Sequence, residues 1–239
     1  LADRRIHFGL LMSKHLQRGL DDLREELLAL FGVVEQMIDM AVRSLVERRP
    51  DLAGRVIVSD STVDSREVRL EEECLKMLAL HQPVATDLRQ VISVVKINSE
   101  LERMADLACN IAERAIALDM YPLFTVPDEL NDMARESISM VKRALDAFVR
   151  EDAEKAREVI RDDDVVDALN RMIIDQLQEL MQESPEYIIP AVHCFSASRN
   201  IECVADLATS LAEDVVYLIE GEIVRHAHTS TAKKPISGN

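Results

Sequence analysis

The sequence predicts an all-α protein made of two pseudo-symmetric antiparallel three-helix bundles, six helices in all. Three observations lead there. Only 6 Gly, 7 Pro and no Trp occur among 239 residues, which is too little turn chemistry and too few aromatics for a sheet protein. Apolar residues return every three or four positions over long stretches, the period of a helix with one buried face. The pattern of the first half is then written again about 100 residues later, the mark of a duplicated unit.

The first helix is predicted from about Ile6 to Arg48, with Leu16, Leu20, Leu23, Leu27, Leu30, Val34, Met37, Ile38, Ala41 and Leu45 as its apolar seam. Pro50 breaks the period and Asp51 offers a cap for a second helix, which carries Leu52, Val56, Val63, Leu70, Leu75 and Leu78 to about Leu80. Gln82-Pro83 ends it, and a third helix runs from about Val84 to Asp119. Connections this short make consecutive helices antiparallel neighbours.

Residues 120–128 hold two prolines and no helical period, so they form the linker between a first bundle at 1–119 and a second at 129–225. Helix four is expected from Glu129 to Arg150, helix five from Asp152 to Gln182, and helix six from about Glu186 to Arg225. Residues 226–239 lack apolar period and are expected to be disordered. The halves align directly. Val56, Asp60, Val63 and Asp64 match Val159, Asp163, Val166 and Asp167 at an offset of 103, while Glu102, Asp106 and Leu107 match Glu202, Asp206 and Leu207 at an offset of 100.

A net charge of −16 sets this chain against nucleic acid and anionic membrane surfaces, which would repel it, and toward cations or basic protein surfaces. Cys74, Cys109, Cys194 and Cys203 form no CxxC pair and sit in apolar helical pattern, so they are expected to be buried free thiols in a reducing compartment. No signal-peptide pattern opens the chain and no apolar run is long enough to span a bilayer, so the expected location is cytoplasmic.

The chemistry written twice is acidic. Glu102-Arg-Met-Ala-Asp106-Leu-Ala-Cys-Asn110 and Glu202-Cys-Val-Ala-Asp206-Leu-Ala-Thr-Ser210 each place an acid at i and i+4 and a small polar residue at i+8. At about 100° per residue these groups share one helix face. That face begins apolar, at Val84, Leu88, Val91 and Val95 in helix three and at Ile188, Ala191 and Phe195 in helix six, then switches to Asn98 or Ser198 and the acids. Two carboxylates four residues apart repel by roughly 0.2–0.5 kcal/mol on an isolated helix. A single pair of this kind reads as a solvated face. The same repulsive pair in both halves, flanked by Ala105, Ala108, Ala205 and Ala208, reads as a place where a cation arrives.

Oxygen donors suit hard cations such as Mg²⁺, Ca²⁺, Mn²⁺ or ferric iron better than zinc. Asp60 and Asp64, mirrored by Asp163 and Asp167, join these sets if their helices face the motif; cap or surface roles are the alternative for each. Glu35 and Asp39 form one more i, i+4 pair, but their counterparts Ile138 and Lys142 are not acidic, so a solvated face explains them. Catalytic patterns are missing from the sequence. None of the six histidines follows an acid by three residues, as a di-metal oxidase bundle requires, and there is no Gly-rich phosphate loop or nucleophile elbow.

Gln82-Pro-Val-Ala-Thr-Asp87-Leu-Arg89, followed by Leu101-Glu-Arg-Met-Ala-Asp106-Leu-Ala-Cys-Asn110-Ile-Ala-Glu113, resembles the QPxAxDLR and LERIGDxAxNIAE signatures of the PhoU family. The duplicated layout fits over about residues 10–225. The second copy departs from the pattern, with Cys203 where the family usually has Arg and Ser210 where it has Asn; Ala105 and Ala205 both replace Gly. The resemblance implies a non-enzymatic negative regulator of the phosphate-starvation response, whose acidic motifs hold metal ions: iron, or Mg, Mn, Ca or Zn. The motif positions carried over are Glu102, Asp106 and Asn110, with Glu202 and Asp206 in the second copy. It also implies two partners at the cytoplasmic face, the phosphate ABC transporter's ATPase subunit and the phosphate sensor histidine kinase, so that the membrane is approached only through partners. The alternatives are a metal-free helical adaptor and a similar regulator of another ion transporter. Long helices and an acidic surface are compatible with a monomer or a homodimer.

Overall fold

The structure, a computed structural model, describes the backbone of residues 2–221 and the side chains of residues 14–221. The expected tail at 226–239, and the last residues of the expected sixth helix, lie outside the described residues. The described elements are α1 (Ala2–Val46), α2 (Pro50–His81), α3 (Ala85–Leu118), α4 (Glu129–Arg150), α5 (Ala153–Glu183), a single 3-10 turn (Pro185–Tyr187) and α6 (Ile188–Glu220). The all-α, six-helix architecture is as the sequence predicts.

Each helix ends where its chemistry requires. Pro50 occupies the first position of α2, where a missing N–H costs nothing. Asp51 is therefore inside the first turn rather than at the cap, and its carboxylate takes two 2.8 Å hydrogen bonds from Arg49. Gln82 closes α2 in the left-handed region, and Asp152 caps α5 by accepting a hydrogen bond from the Lys155 amide at 3.1 Å. Helix α6 stops at Glu220, earlier than expected, because Gly221 adopts φ 75° and its amide bonds back to the Tyr217 carbonyl.

All ten seam residues expected in α1 are buried. In α2 the seam shifts after Leu70: Cys74 and Met77 are inside, while Leu75 is 56% exposed. The period of three and four permits either pair there, and the packing against α1 and α3 selects one.

Within each half the three helices pack on one another, and the halves meet through α3 against α6 and α1 against α4. Among the described residues, helix α2 touches only α1 and α3, and α5 packs only on α4, α6 and the short turn. The centre is thus four helices thick in cross-section, with α2 and α5 as outer flanks. One continuous apolar core runs through both halves, from Leu16 to Leu218.

Lys96 meets Asp214 at 2.9 Å near one end of the α3–α6 contact, and the charge of Arg114 acts on His193 near the other. The two helices therefore run antiparallel, and their acidic motifs pass each other midway. Ala105, Ala108, Ala112 and Ala115, with Ala205, Ala208 and Ala212, are all buried. These small residues serve close helix packing.

The corners are tied by side chains. Arg24 of α1 and Gln90 of α3 both donate to the Glu151 carboxylate at the α4–α5 corner, at 2.8 and 2.9 Å. The Arg48 guanidinium donates to the carbonyls of Leu118, Tyr121 and Phe124, fastening the end of α3 and the linker.

Candidate metal centres

Helix α2 packs along α3 in a register that turns its Asp60, Asp64 and Glu67, spaced i, i+4 and i+7, toward Glu102 and Asp106. The charges of these groups act on one another. Burial raises the Glu102 carboxyl above its ordinary range, and the charges of Asp106, Glu67, Asp64 and Asp60 raise it further. Asp106 is raised by burial, then by Asp60 and Asp64. The residue is exposed, so only part of its carboxyl is withheld from water. Glu67 is raised by burial, Glu71 and Asp64.

The second half repeats this between α5 and α6. Burial, then Asp206, Asp167, Glu202 and Asp164, pushes Asp163 up to about 6. Glu202 is raised by burial and Asp206 against the opposing charge of Arg199, which donates to its Oε1 at 2.5 Å. Asp206 is raised by burial and by Asp167, again with Arg199 opposing. So the four aspartates of the outer helices stand mid-helix beside the motifs rather than at caps, with Asp60, Asp163 and Asp167 half-buried and Asp64 exposed. Asn110 is exposed, one turn beyond Asp106, and Ser210 is half-buried at the matching place.

Three features were not read from the sequence. Glu67 belongs to the first centre, and the heptad-like spacing of 60, 64 and 67 is the signal that marks it. Its counterpart at the offset of 103 is Asn170, which is buried and uncharged. Each outer helix also shares a polar contact with its neighbour beside the acids: Asn98 donates to the Glu67 carbonyl at 2.9 Å, and Ser198 donates to Asn170 Oδ1 at 2.5 Å. The third feature concerns the thiols. All four cysteines are free, as expected, but only Cys74 and Cys194 are buried. Cys109 and Cys203 are half-buried at the edges of the acidic crevices, where burial and the neighbouring carboxylates raise both thiols, Cys109 to about 12.

Cations fit what is here. The donors are carboxylates held together against their own repulsion, and Glu202 Oε2 is shut off from solvent with no hydrogen-bond partner, an acceptor that a cation would satisfy. Among the described residues, one oxygen each of Glu202 and Asp206 and the Cys203 sulfur lie within 4.8 Å of one another. The apolar lead-in to each stripe is in part open to solvent: Leu88 and Ile92 in α3, and Ile188, Val192 and Phe195 in α6, are exposed. No helix among the described residues is long and apolar enough to cross a membrane.

A family model described as the PhoU domain matches residues 27–115 and again residues 130–215, one match per half. A phosphate-specific transport system accessory protein PhoU homolog from Aquifex aeolicus is 38% identical over 213 residues, covering 89% of this chain and 96% of that protein. The crystal structure of PhoU from Pseudomonas aeruginosa superposes with a TM-score of 0.81 at 35% identity, covering 86% of this chain and 99% of that one. That of the phosphate transport system regulatory protein PhoU from Streptococcus pneumoniae gives 0.82 at 28% identity, covering 87% and 99%.

Proposed function

The chain belongs to the PhoU family, and on that premise we propose that it is a non-enzymatic accessory regulator of phosphate transport that keeps the phosphate-starvation response off. It acts by docking between the phosphate ABC transporter's ATPase subunit and the sensor histidine kinase at the cytoplasmic face. The names of its relatives, an accessory and a regulatory protein of phosphate transport, support this reading.

The observation that carries the metal part is the pair of acidic clusters in which charges from the neighbouring helix help raise the carboxyls of Glu102 and Asp106 in one and of Asp163 in the other. Glu102, Asp106, Asp60, Asp64 and Glu67 would hold a cation in the first, and Glu202, Asp206, Asp163 and Asp167 in the second. Asn110 stands within one helical turn as a further oxygen donor. A bound hard cation such as iron, Mg²⁺, Mn²⁺ or Ca²⁺ supplies positive charge that cancels the mutual repulsion of the carboxylates. The chain's own part is to fix those oxygens on two rigid helices and to leave the remaining acids as a docking face.

Metal analysis of the purified protein, with anomalous scattering at the iron and zinc edges, should place ions at both crevices. Finding none after metal soaking would leave a purely acidic docking surface. Charge reversal at Glu102 and Asp106 should weaken capture of the transporter ATPase or the kinase in pull-down. Unchanged capture would move the docking face elsewhere.

A further inference from the structure

We propose that the centre on α6 binds a thiophilic divalent cation of the Zn²⁺, Co²⁺ or Fe²⁺ class with the Cys203 thiolate as a ligand, while the centre on α3 keeps to oxygen donors. This rests on the metal reading above and goes beyond it by assigning a sulfur ligand and a cation class to one of the two centres.

The geometry supplies three converging donors. Single ligand atoms of Glu202, Cys203 and Asp206 lie within 4.8 Å of one another, a spread that one cation with bonds of roughly 2.0–2.3 Å closes after small side-chain adjustments. Glu202 Oε2, inaccessible and without a hydrogen-bond partner, is an acceptor in want of a donor or a cation. Its other oxygen is held by Arg199, which fixes the carboxylate in place. Asp163 and Asp167 of α5 lie near enough for their charges to act together with those of Glu202 and Asp206, outside the converging three.

The first copy is built differently at the same register. Arg103 stands at the position of Cys203 and is exposed; a guanidinium cannot ligate a metal. Burial and then the charges of Glu202 and Asp206 raise the Cys203 thiol, with Arg199 and Arg103 opposing, so a bound cation has to displace its proton. The first copy does have a thiol nearby, Cys109, which meets the Val56 carbonyl of α2 at 4.0 Å and the Asp60 carboxylate, but among the described residues it is not part of a converging triad. The duplicated protein therefore carries one all-oxygen centre and one mixed sulfur and oxygen centre. Sulfur donors shift preference away from Mg²⁺ and Ca²⁺ toward zinc and its neighbours.

Binding breaks the S–H bond, forms one sulfur–metal bond and releases the proton to solvent, with no change of oxidation state. The test is titration of the full chain with Co²⁺ under anaerobic, reducing conditions. The wild type and C109S should develop a near-ultraviolet sulfur-to-cobalt charge-transfer band, and C203S should lose it while still taking up cobalt. Zn²⁺ should protect Cys203 from iodoacetamide in peptide mass mapping. Serine conserves the volume of cysteine, and far-ultraviolet circular dichroism checks that C203S keeps its helices. A band that survives in C203S, or cobalt uptake with no band in the wild type, overturns the thiolate ligand and leaves the carboxylate centres standing. No cobalt uptake at all overturns both readings.

Discussion

Asp163 shows how the acidic crevices work at the level of one residue. Its carboxyl titrates at about 6 in the folded protein, raised from an ordinary value of 3.8 by burial and by Asp206. Between those values the folded state binds more protons than the unfolded one, so the stability this group contributes is full below the unfolded value and is lost as pH rises through about 6. Glu67, Glu102, Asp106, Glu202 and Asp206 are shifted in the same direction. Metal-free protein should therefore lose thermal stability as pH rises from about 4 to about 6. Asp163→Asn should raise the melting temperature at neutral pH and flatten that slope. A variant that melts lower than the wild type at neutral pH without metal would contradict the repulsion. With metal present the effect should invert, because a cation bound to the native state alone stabilises it.

At the scale of the element, Arg48 is the residue that the repeat pattern gives no hint of. It follows α1 with φ 56°, and from there its guanidinium reaches three carbonyls at the end of α3 and in the linker. The linker is further seated by Phe124 edge-on against Tyr187 at 6.0 Å and by Tyr121 beside His193 at 6.5 Å. Removing the guanidinium in Arg48→Ala takes a charged donor from three carbonyls, of which those of Leu118 and Tyr121 keep the Tyr121 and Phe124 amides, and should cost about 2 kcal/mol. That is readable as a lower denaturation midpoint with an unchanged slope. Arg48→Lys should recover little of it, since an ammonium lacks the planar fork that serves several acceptors at once.

For the whole molecule, the decisive fact is that the two halves share a core. Both α1–α4 and α3–α6 bury apolar residues between the repeats, and the core runs through both halves. The Lys96–Asp214 pair also bridges them, with the Asp214 side chain only 7% exposed. The halves should therefore unfold together: calorimetry should give one transition with matching calorimetric and van't Hoff enthalpies. Two resolved transitions would mean that each bundle is stable alone.

What could be read from the residues follows from periodicity. A helix of 3.6 residues per turn announces its buried face, so the number of helices, the α1 seam and the antiparallel layout are written in the order of apolar residues. Duplication is likewise visible, and with it the twin motifs at Glu102 and Asp106 and at Glu202 and Asp206. Rotation of one helix against its neighbour is not a local property. Whether Asp60, Asp64, Asp163 and Asp167 cap, face solvent or join the motifs depended on how α2 lies on α3 and α5 on α6, as did the recruitment of Glu67. The same holds for Leu75 giving way to Cys74, for the alanines serving the packing, and for Cys203 coming to the edge of an acidic crevice. Local periodicity fixes which side of a helix is apolar; only packing between helices decides what its polar side meets.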